Sequence, residues 1–305
     1  MHRHEAHPMS RYRLCGLTLE SDLPLPELPL SDGLPDAIVE IGPIPKDGPA
    51  EIPRIGPLTR ADRHNLWLAI PKVARFWVRG GNRIVIDPEP GSDEASIRNF
   101  LLASPLAALL FQRDRLVMHG AAVEINGQAI LILGSSGSGK STLAAELMKR
   151  GHRIVADDVI ALDEQHRALP GIPRLKLWRN ALKMLDIPRD DLTPVRPGLE
   201  RYHLPLADAV TTQPSPVRWV VLLSATTLEE IVAEPLWGMN RFMPLRKNTY
   251  RISFMDHMGL KTQHMAQIAA LSGHIRLWAL SYPGGGDYVG ALTDRLLDLV
   301  HTGEA

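Results

Sequence analysis

A glycine-rich segment in the middle of the chain has the residue types and spacing of a phosphate-binding loop. Residues 129–141 read AILILGSSGSGKS: an apolar run leads into Gly134-x4-Gly139-Lys140-Ser141, and the residues that follow favour a helix. A strand, a glycine-rich turn and a helix are the context that such a P-loop requires, because the glycines let consecutive N–H groups point at a polyphosphate. The helix adds its positive N-terminal end. The segment therefore predicts a nucleoside triphosphate site.

Individual residues of the motif have distinct expected roles. Lys140 would reach the β- and γ-phosphates, and the Ser141 hydroxyl would ligate Mg²⁺. The residues expected to bind the nucleotide are Gly134, Ser135, Ser136, Gly137, Ser138, Gly139, Lys140, Ser141 and Thr142. A chance glycine–serine turn before a helix is the alternative, which motif and context together disfavour.

Two adjacent aspartates follow the predicted loop helix. Gly151 suits a helix C-cap and residues 153–156 read as a short buried strand, so Asp157 and Asp158 would stand at or just past its end, near the P-loop. One carboxylate there can hold Mg²⁺ through water, and a second can accept the proton of an attacking hydroxyl. A solvated Asp-Asp turn is the alternative.

Several segments together resemble the catalytic domain of the HPr serine kinase/phosphorylase family. They are His119-Gly120, the GSSGSGKS loop and the sequence RGHRIVADD at 150–158, with similar spacing between them. MPLRKN at 243–248, followed by Met258-Gly259, is similar to the family's later loop with a catalytic arginine. The resemblance covers roughly residues 115–265.

The resemblance implies an ATP- and Mg²⁺-dependent kinase that transfers the γ-phosphoryl group to a serine hydroxyl of a protein or peptide, such as an HPr-like protein or a ribosomal peptide precursor. The matching active-site positions are His119, Lys140, Asp158 and Arg246, with Asp158 as the proton acceptor. Asp157 is the neighbouring catalytic candidate and, with Ser141, the candidate for binding Mg²⁺.

Residues 169–178 depart from the family pattern. The family's metal-binding glutamate is missing there, and Arg174 and Lys176 are present instead. The first hundred residues also look unlike the regulatory domain of the classical bifunctional enzymes. The chain most resembles the divergent kinase branch, some of whose members phosphorylate a peptide serine in peptide natural-product pathways such as lasso peptide tailoring.

The pattern of the whole chain predicts a mixed α/β protein with two domains. Residues 1–92 read as a smaller β-rich N-terminal domain and residues 93–305 as a second domain with a mixed sheet, which the resemblance implies is a P-loop kinase domain of HPr-kinase type. The strands predicted in the first part cover residues 12–19, 37–41, 66–70, 75–79 and 83–86. In the second part, helices are predicted over 93–113, 179–185, 262–271 and 287–300; the first of them would be capped by Ser92 and kinked or divided at Pro105. Strands are predicted over 116–125, 128–133, 219–224 and 274–281, and a loop over 186–205.

Composition excludes several classes of partner. Of the 305 residues, 34 are Lys or Arg and 34 are Asp or Glu, so there is no net charge to attract nucleic acid or an anionic membrane. The most apolar segment, residues 100–111, is too short to span a bilayer. The single Cys15 and an N-terminus without the apolar core of a signal peptide predict a cytoplasmic protein. We expect a protein or peptide phospho-acceptor as partner, no nucleic acid, no membrane, and possible homo-oligomers.

Two other functions are compatible with the same motifs. A small-molecule kinase would use the same P-loop and aspartates, with a deep, enclosed acceptor pocket instead of an open groove beside Arg246. A nucleotide-binding switch or assembly module with slow hydrolysis would change its affinity for a partner without transferring phosphate.

Overall fold

The chain forms two compact units. The computed structural model describes residues 9–196 and 198–303, so the first eight residues of the N-terminus lie outside it. The first unit runs up to Arg115 and includes Arg251–Thr262, whereas the second unit contains Leu116–Tyr250 and continues from Gln263. The helical segment that follows the predicted boundary at residue 92 lies in the β-rich unit. The fold class is mixed α/β, as predicted.

The first unit is built on an eight-stranded sheet with the order β1-β2-β3-β8-β7-β6-β5-β4. Its strands are β1 Ser10–Leu14, β2 Leu17–Ser21, β3 Ala37–Ile41, β4 Arg54–Gly56, β5 Thr59–Asp62, β6 Asn65–Ile70, β7 Ala74–Arg79 and β8 Arg83–Pro88. The single strand predicted over 12–19 is wrong. Cys15 and Gly16 have φ angles of 51° and 74°, so they turn the chain into a hairpin between β1 and β2.

The helical segment after this sheet divides in two, as Pro105 led us to expect. Helix α1 is Glu94–Leu101 and helix α2 is Ser104–Gln112, with the proline in the first turn of α2, where the missing N–H costs nothing. The N-cap of α1 is Asp93 and not Ser92, because the Asp93 side chain accepts a hydrogen bond from the Ser96 N–H at 2.7 Å.

Helix α2 packs within the first unit. The Gly81 N–H donates to the Gln112 side-chain oxygen at 2.8 Å, which joins the end of α2 to the β7–β8 turn. By length and composition alone, Glu94–Gln112 would be long and apolar enough to cross a membrane, but 61% of its most apolar window is buried inside the protein. A buried stretch of this kind is typical of a core helix.

The second unit holds a seven-stranded sheet of order β10-β9-β11-β12-β16-β18-β17, in which β10 also pairs with β16. Its strands are β9 Leu116–Ile125, β10 Gln128–Leu133, β11 Arg153–Leu162, β12 Arg167–Ala168, β16 Ser215–Thr226, β17 Val232–Pro235 and β18 Arg276–Pro283. A separate three-stranded sheet contains β13 Arg174–Trp178, β14 Thr193–Pro194 and β15 Arg201–Pro205. The loop predicted over 186–205 is therefore partly wrong, since β15 forms an antiparallel partner for β13.

Pairing directions in the large sheet position the predicted loop. Strand β10 is antiparallel to β9 and parallel to β16, and β16 is parallel to β18. Asn126 and Gly127 have φ angles of 51° and 73° and form the predicted tight turn between β9 and β10. The carboxyl ends of β10, β16 and β18 therefore share one edge of the sheet, where ligands bind in open α/β folds.

Helices cover both faces of this sheet. They are α3 Lys140–Lys149, α4 Arg179–Met184, α5 Phe242–Lys247 after a 3₁₀ turn at Gly238–Arg241, α7 Lys261–His274 and α8 Val289–Thr302, while α6 Ile252–His257 lies in the first unit. One apolar core contains Leu143, Leu182 and Leu296 from α3, α4 and α8. A second core contains Leu245 and Ile268 from α5 and α7.

Candidate active site

The turn between β10 and α3 has the backbone conformation of a phosphate loop. Gly134, Gly137 and Gly139 have φ angles of 144°, 83° and 81°, which side-chain-bearing residues rarely adopt. At Gly134 a Cβ would also lie 2.3 Å from the Leu223 carbonyl oxygen, so glycine is required where the loop leaves β10. The Lys140 ammonium donates to the carbonyl oxygens of Gly134 and Ser135 at 2.9 and 2.7 Å, inside the curl of the loop.

The N-terminus of α3 is open toward the cavity. The helix begins at Lys140, and Gly139, its N-cap, has no side chain with which to satisfy the first N–H groups. Those N–H groups are therefore available to an anion, which the helix dipole also favours. Lys140 is only 8% exposed, and burial lowers its pKa, although the two nearby aspartates oppose this effect.

The two aspartates lie within β11 and not past a strand end, which corrects the prediction. Asp157 pairs with Ala121 and Asp158 pairs with Gly120 on β9. On the opposite side of β9, Gly120 allows the close approach of β10, because a Cβ there would lie 2.4 Å from the Ile132 carbonyl oxygen. Asp158 has a φ angle of 73°, in the left-handed region that non-glycine residues seldom occupy. Unusual backbone conformations of this kind concentrate at functional sites.

Asp157 is buried and connects the loop helix to β13. Its carboxylate accepts hydrogen bonds from the Ser141 hydroxyl at 2.8 Å and from the Lys176 backbone N–H at 2.8 Å. Burial and the negative charge of Asp158 raise the pKa of Asp157, while these two hydrogen bonds lower it. The carboxylate therefore has one side toward the P-loop and one side tied to β13.

Ser141 and Asp157 fit a magnesium ion that arrives with a nucleotide. Their oxygens lie side by side, and Mg²⁺ is usually held by one or two protein oxygens together with substrate phosphates. Within residues 9–196 and 198–303, no three His, Cys, Asp or Glu side chains are grouped so that they could hold a metal ion by themselves.

Asp158 forms an ion pair with Lys176. The Lys176 ammonium lies 2.8 Å from a carboxylate oxygen of Asp158, and both side chains are largely buried. Burial pushes the pKa of Asp158 upward, but the charge and hydrogen bond of Lys176, helped by His119, outweigh it and bring the pKa to about 2. Asp158 is thus a firmly ionised carboxylate with a cation beside it.

His119 lies next to Asp158. Its Nδ1 is 3.1 Å from the Asp158 backbone carbonyl oxygen and 3.5 Å from the carboxylate. Burial lowers the pKa of His119 below its ordinary value, with Lys140 contributing in the same direction and Asp158 opposing. The imidazole is therefore mainly neutral near pH 7, and it can exchange hydrogen bonds with a hydroxyl or with the carboxylate.

Arg246 and Asn248 lie on or next to α5, and they relate differently to the site. Arg246 is half-buried in the last turn of α5 and does not line the cavity. Asn248 contacts the P-loop directly, because its side-chain oxygen accepts a hydrogen bond from the Gly134 N–H at 2.9 Å. Its backbone carbonyl accepts from the His119 N–H at 2.7 Å. Asn248 therefore joins the P-loop to the strand of His119.

One cavity of about 590 Å³ unites most of the predicted residues. It is lined by His119, Ser136, Gly137, Ser138, Gly139, Lys140, Ser141, Thr142, Asp157 and Asp158, together with Lys176, Arg201 and aromatic residues that include Trp178, Tyr282 and Tyr288. Gly134 and Ser135 form the base of the loop through their hydrogen bonds to Asn248 and Lys140. The role assigned to each residue stays a prediction.

Lys176 and Asn248 belong to the site although neither is among the predicted site residues. Lys176 stands between Leu175 and Leu177, which belong to the core beneath α3, so the alternation of β13 turns the lysine away from that core. A lysine between two core leucines in a strand is the signal that could have identified it. Asn248 gave no such signal, because its contact with Gly134 spans 114 residues.

The fold and the site define a P-loop nucleotide-binding domain with an acidic strand opposite the loop. Residues 112–184 match the family model of the HPr Serine kinase C-terminal domain. The resemblance to the HPr serine kinase family is thereby confirmed over this segment, which contains the P-loop, both aspartates and Lys176.

Curated relatives match over short segments around the same site. The HPr kinase/phosphorylase of Stenotrophomonas maltophilia is 41% identical over 78 residues, 26% of this chain and 23% of the relative. The HPr kinase/phosphorylase of Clostridium acetobutylicum is 54% identical over 54 residues, 18% of each chain. That of Listeria welshimeri is 56% identical over 48 residues, 16% of this chain and 15% of the relative. The chain thus spans less than a quarter of the length of these relatives.

A solved structure, the Hpr(Ser) kinase/phosphatase from Coxiella burnetii, is similar at a TM-score of 0.33 and 15% identity, covering 62% of this chain and 99% of that one.

Proposed function

We propose that this protein is a Mg²⁺-dependent kinase that transfers the γ-phosphoryl group of ATP to a serine hydroxyl of a protein or peptide. The observation that carries the proposal is the cavity in which the P-loop and Lys140 face Asp157, Asp158 and His119. Phosphoryl transfer needs little covalent chemistry from a protein and depends on positioning and electrostatics. The names of the relatives, HPr kinase/phosphorylase, support this reaction class.

The donor side of the reaction uses the loop. The ammonium of Lys140, which contacts two loop carbonyl oxygens, would turn to the β- and γ-phosphates of the bound nucleotide. The first N–H groups of α3 would hold the phosphates in place. Ser141 and Asp157 are the residues that would hold Mg²⁺, which when bound neutralises phosphate charge.

The acceptor side uses the paired carboxylate and its neighbours. Asp158 would orient the serine hydroxyl and accept its proton as transfer proceeds, and His119 would orient the hydroxyl or the carboxylate. Lys176, 2.8 Å from Asp158, would face the transferring group from the same side. Arg246, whose role rests on the family resemblance, would have to extend into the cavity to stabilise charge on that group.

The proposed acceptor is an HPr-like protein or a ribosomal peptide precursor, and a cytoplasmic location with ATP and a reducing environment is part of the proposal.

One observation favours a second candidate function. The Lys176 ammonium lies 2.8 Å from the Asp158 carboxylate and makes it a weaker proton acceptor, which suits a nucleotide-binding switch with slow hydrolysis.

Phosphate transfer can be tested directly. The protein is incubated with Mg²⁺, γ-labelled ATP and either an HPr protein or serine-containing peptides, and labelled serines are located by mass spectrometry. We expect acceptor-dependent serine phosphorylation that the Lys140→Ala variant lacks. Nucleotide binding with ADP release and no labelled acceptor would support the switch instead. Labelling that persists in Lys140→Ala would contradict the proposed donor site.

A further inference from the structure

The P-loop and the carboxylates form only part of the cavity wall. The remaining wall is largely apolar and aromatic and comes from two places in the chain. One is the end of β13 and the helix that follows, with Trp178 and Met184; the other is the segment from the end of β18 to the start of α8, with Tyr282, Tyr288 and Val289. Trp178 and Met184 are 45% and 37% exposed, which is high for large apolar side chains lining a concave surface.

We propose that this apolar part of the cavity is a nucleobase subsite, in which Trp178 and the segment from Tyr282 to Val289 form the two walls that cover the base of the donor nucleotide. The inference rests on the proposed function, since it takes the P-loop as the place where the donor's phosphates bind. It adds a binding site to that function, together with the class of group that the site accepts.

The topology places these two walls on either side of the loop helix. β18 lies with β16 on one side of β10, whereas β9 and β11 lie on the other side. The Lys176 N–H donates to Asp157, so β13 and its last residue Trp178 belong to the β11 side. The N-terminus of α3, where the phosphates would bind, therefore lies between the two walls. A nucleotide whose phosphates lie on α3 can extend its base into the space between them.

Both walls are held in place by contacts that join them to the phosphate site. Arg201 lies over the Trp178 ring, 5.8 Å from its centroid, and its guanidinium donates to the Lys176 carbonyl oxygen at 3.4 Å. The Tyr282 hydroxyl donates to the carbonyl oxygen of Ser138 in the P-loop at 3.3 Å. The Tyr282 and Tyr288 rings lie 6.3 Å apart. These aromatic surfaces are thus already ordered next to the loop, which reduces the entropic cost of binding a base.

The chemistry of the walls predicts what the subsite recognises. Aromatic rings stack on any base, because every base has a π-face. At the β13–α4 wall, Asn180 is the one cavity-lining residue with a side-chain amide, which can hydrogen-bond to the edge of a base. We therefore expect a clear preference for a nucleoside triphosphate over bare tripolyphosphate, and similar affinities for ATP and GTP.

The test compares Mg·ATP with Mg·tripolyphosphate by calorimetry. The full-length protein is used as wild type, Trp178→Ala, Trp178→Phe and the control Trp237→Ala, whose exposed indole does not line the cavity. Trp178→Ala should weaken ATP binding on the order of tenfold, the usual loss when a stacking ring is removed, and leave tripolyphosphate binding unchanged. Trp178→Phe should restore most of the ATP affinity, and Trp237→Ala should change neither ligand.

The two ligands separate failure of the subsite from failure of the proposed function. Unchanged tripolyphosphate binding also shows that Trp178→Ala retains a folded P-loop. If wild type binds both ligands equally, or Trp178→Ala binds ATP normally, the nucleobase subsite is overturned while the P-loop remains a phosphate site. Loss of both ligands in Trp178→Ala together with normal Trp237→Ala would show a structural role instead, and would also overturn the subsite. A wild-type protein that binds neither ligand would overturn the proposed function itself.

Discussion

The phosphate site has two sides, the P-loop and the facing wall formed by β9, β11 and β13. The contacts that hold these two sides differ greatly in sequence range. In the P-loop, Lys140 bonds to the carbonyl oxygens of residues five and six positions before it. In the facing wall, Lys176 reaches Asp158 across 18 positions and His119 reaches Asp158 across 39. The loop is thus a local backbone structure, whereas the facing wall exists only when β9, β11 and β13 have packed. Damage to the loop should therefore remove nucleotide binding, and damage to the wall should remove transfer while binding persists.

Loss of the loop lysine should have the largest effect. Lys140→Ala removes the cation for the β- and γ-phosphates, so transfer should be abolished and nucleotide affinity should fall sharply. The glycines that shape the loop are unchanged, so the thermal unfolding curve should stay close to wild type. The exposed Lys46→Ala serves as a matched control with normal activity. Normal turnover in Lys140→Ala would show that the loop is not the donor site.

Loss of the paired carboxylate should come next. Asp158→Asn keeps the shape of the side chain but removes the proton acceptor, so transfer should fall by about 10²–10⁴-fold with nucleotide affinity retained. Asp157→Asn should instead change how the transfer rate depends on Mg²⁺ concentration, because Asp157 and the Ser141 hydroxyl bonded to it are the proposed Mg²⁺ ligands. Both are measured by steady-state transfer and nucleotide titration. A nearly silent Asp158→Asn beside a severely impaired Asp157→Asn would reverse the two roles.

Removal of the ion-pair partner should change the pH dependence of transfer. In the wild type the pKa of Asp158 is about 2, so this carboxylate stays ionised throughout the assay range. In Lys176→Met, burial is no longer opposed by the ammonium, and the pKa of Asp158 rises. Protonation would then reduce transfer at the acid end of a profile measured from about pH 5 to about pH 9.

Lys176→Arg is the control for this variant, since it keeps the charge and should show no added loss of transfer at the acid end of the profile. An identical pH profile for Lys176→Met and wild type would show that the ion pair does not control the ionisation of Asp158.

The smallest expected effect concerns Asn248, which joins the P-loop to the strand of His119. Asn248→Ala removes the acceptor for the Gly134 N–H and the donor to the Pro244 carbonyl oxygen, so unfolding should require about 1–3 kcal/mol less free energy. Nucleotide affinity should fall with it, because the loop loses an anchor. Asn248→Asp keeps the acceptor for Gly134 and should recover much of the affinity. Normal affinity in Asn248→Ala would show that the loop holds its shape without this contact.

Several errors in the prediction of the fold have a common physical cause. Ser92 and Asp93 are both good N-caps, and nothing local decides between them until the Ser96 N–H meets one side chain. The strand predicted over 153–156 ends before Asp157, and a carboxylate in a buried strand is unfavourable unless it finds partners. It continues because Ser141 and Lys176 bring partners for the carboxylates from elsewhere in the chain.

Local sequence was sufficient to predict the phosphate loop, its helix and the hairpin that carries His119. Glycine positions, an Asn-Gly turn and apolar runs act over a few residues, and local sterics and hydrogen bonding are enough to select those structures. Three features depend on packing of distant segments: the ion pair of Lys176 with Asp158, the hydrogen bond from Gly134 to Asn248, and the aromatic walls beside α3. These contacts join residues that are far apart in sequence, and packing of the strands and helices brings them together.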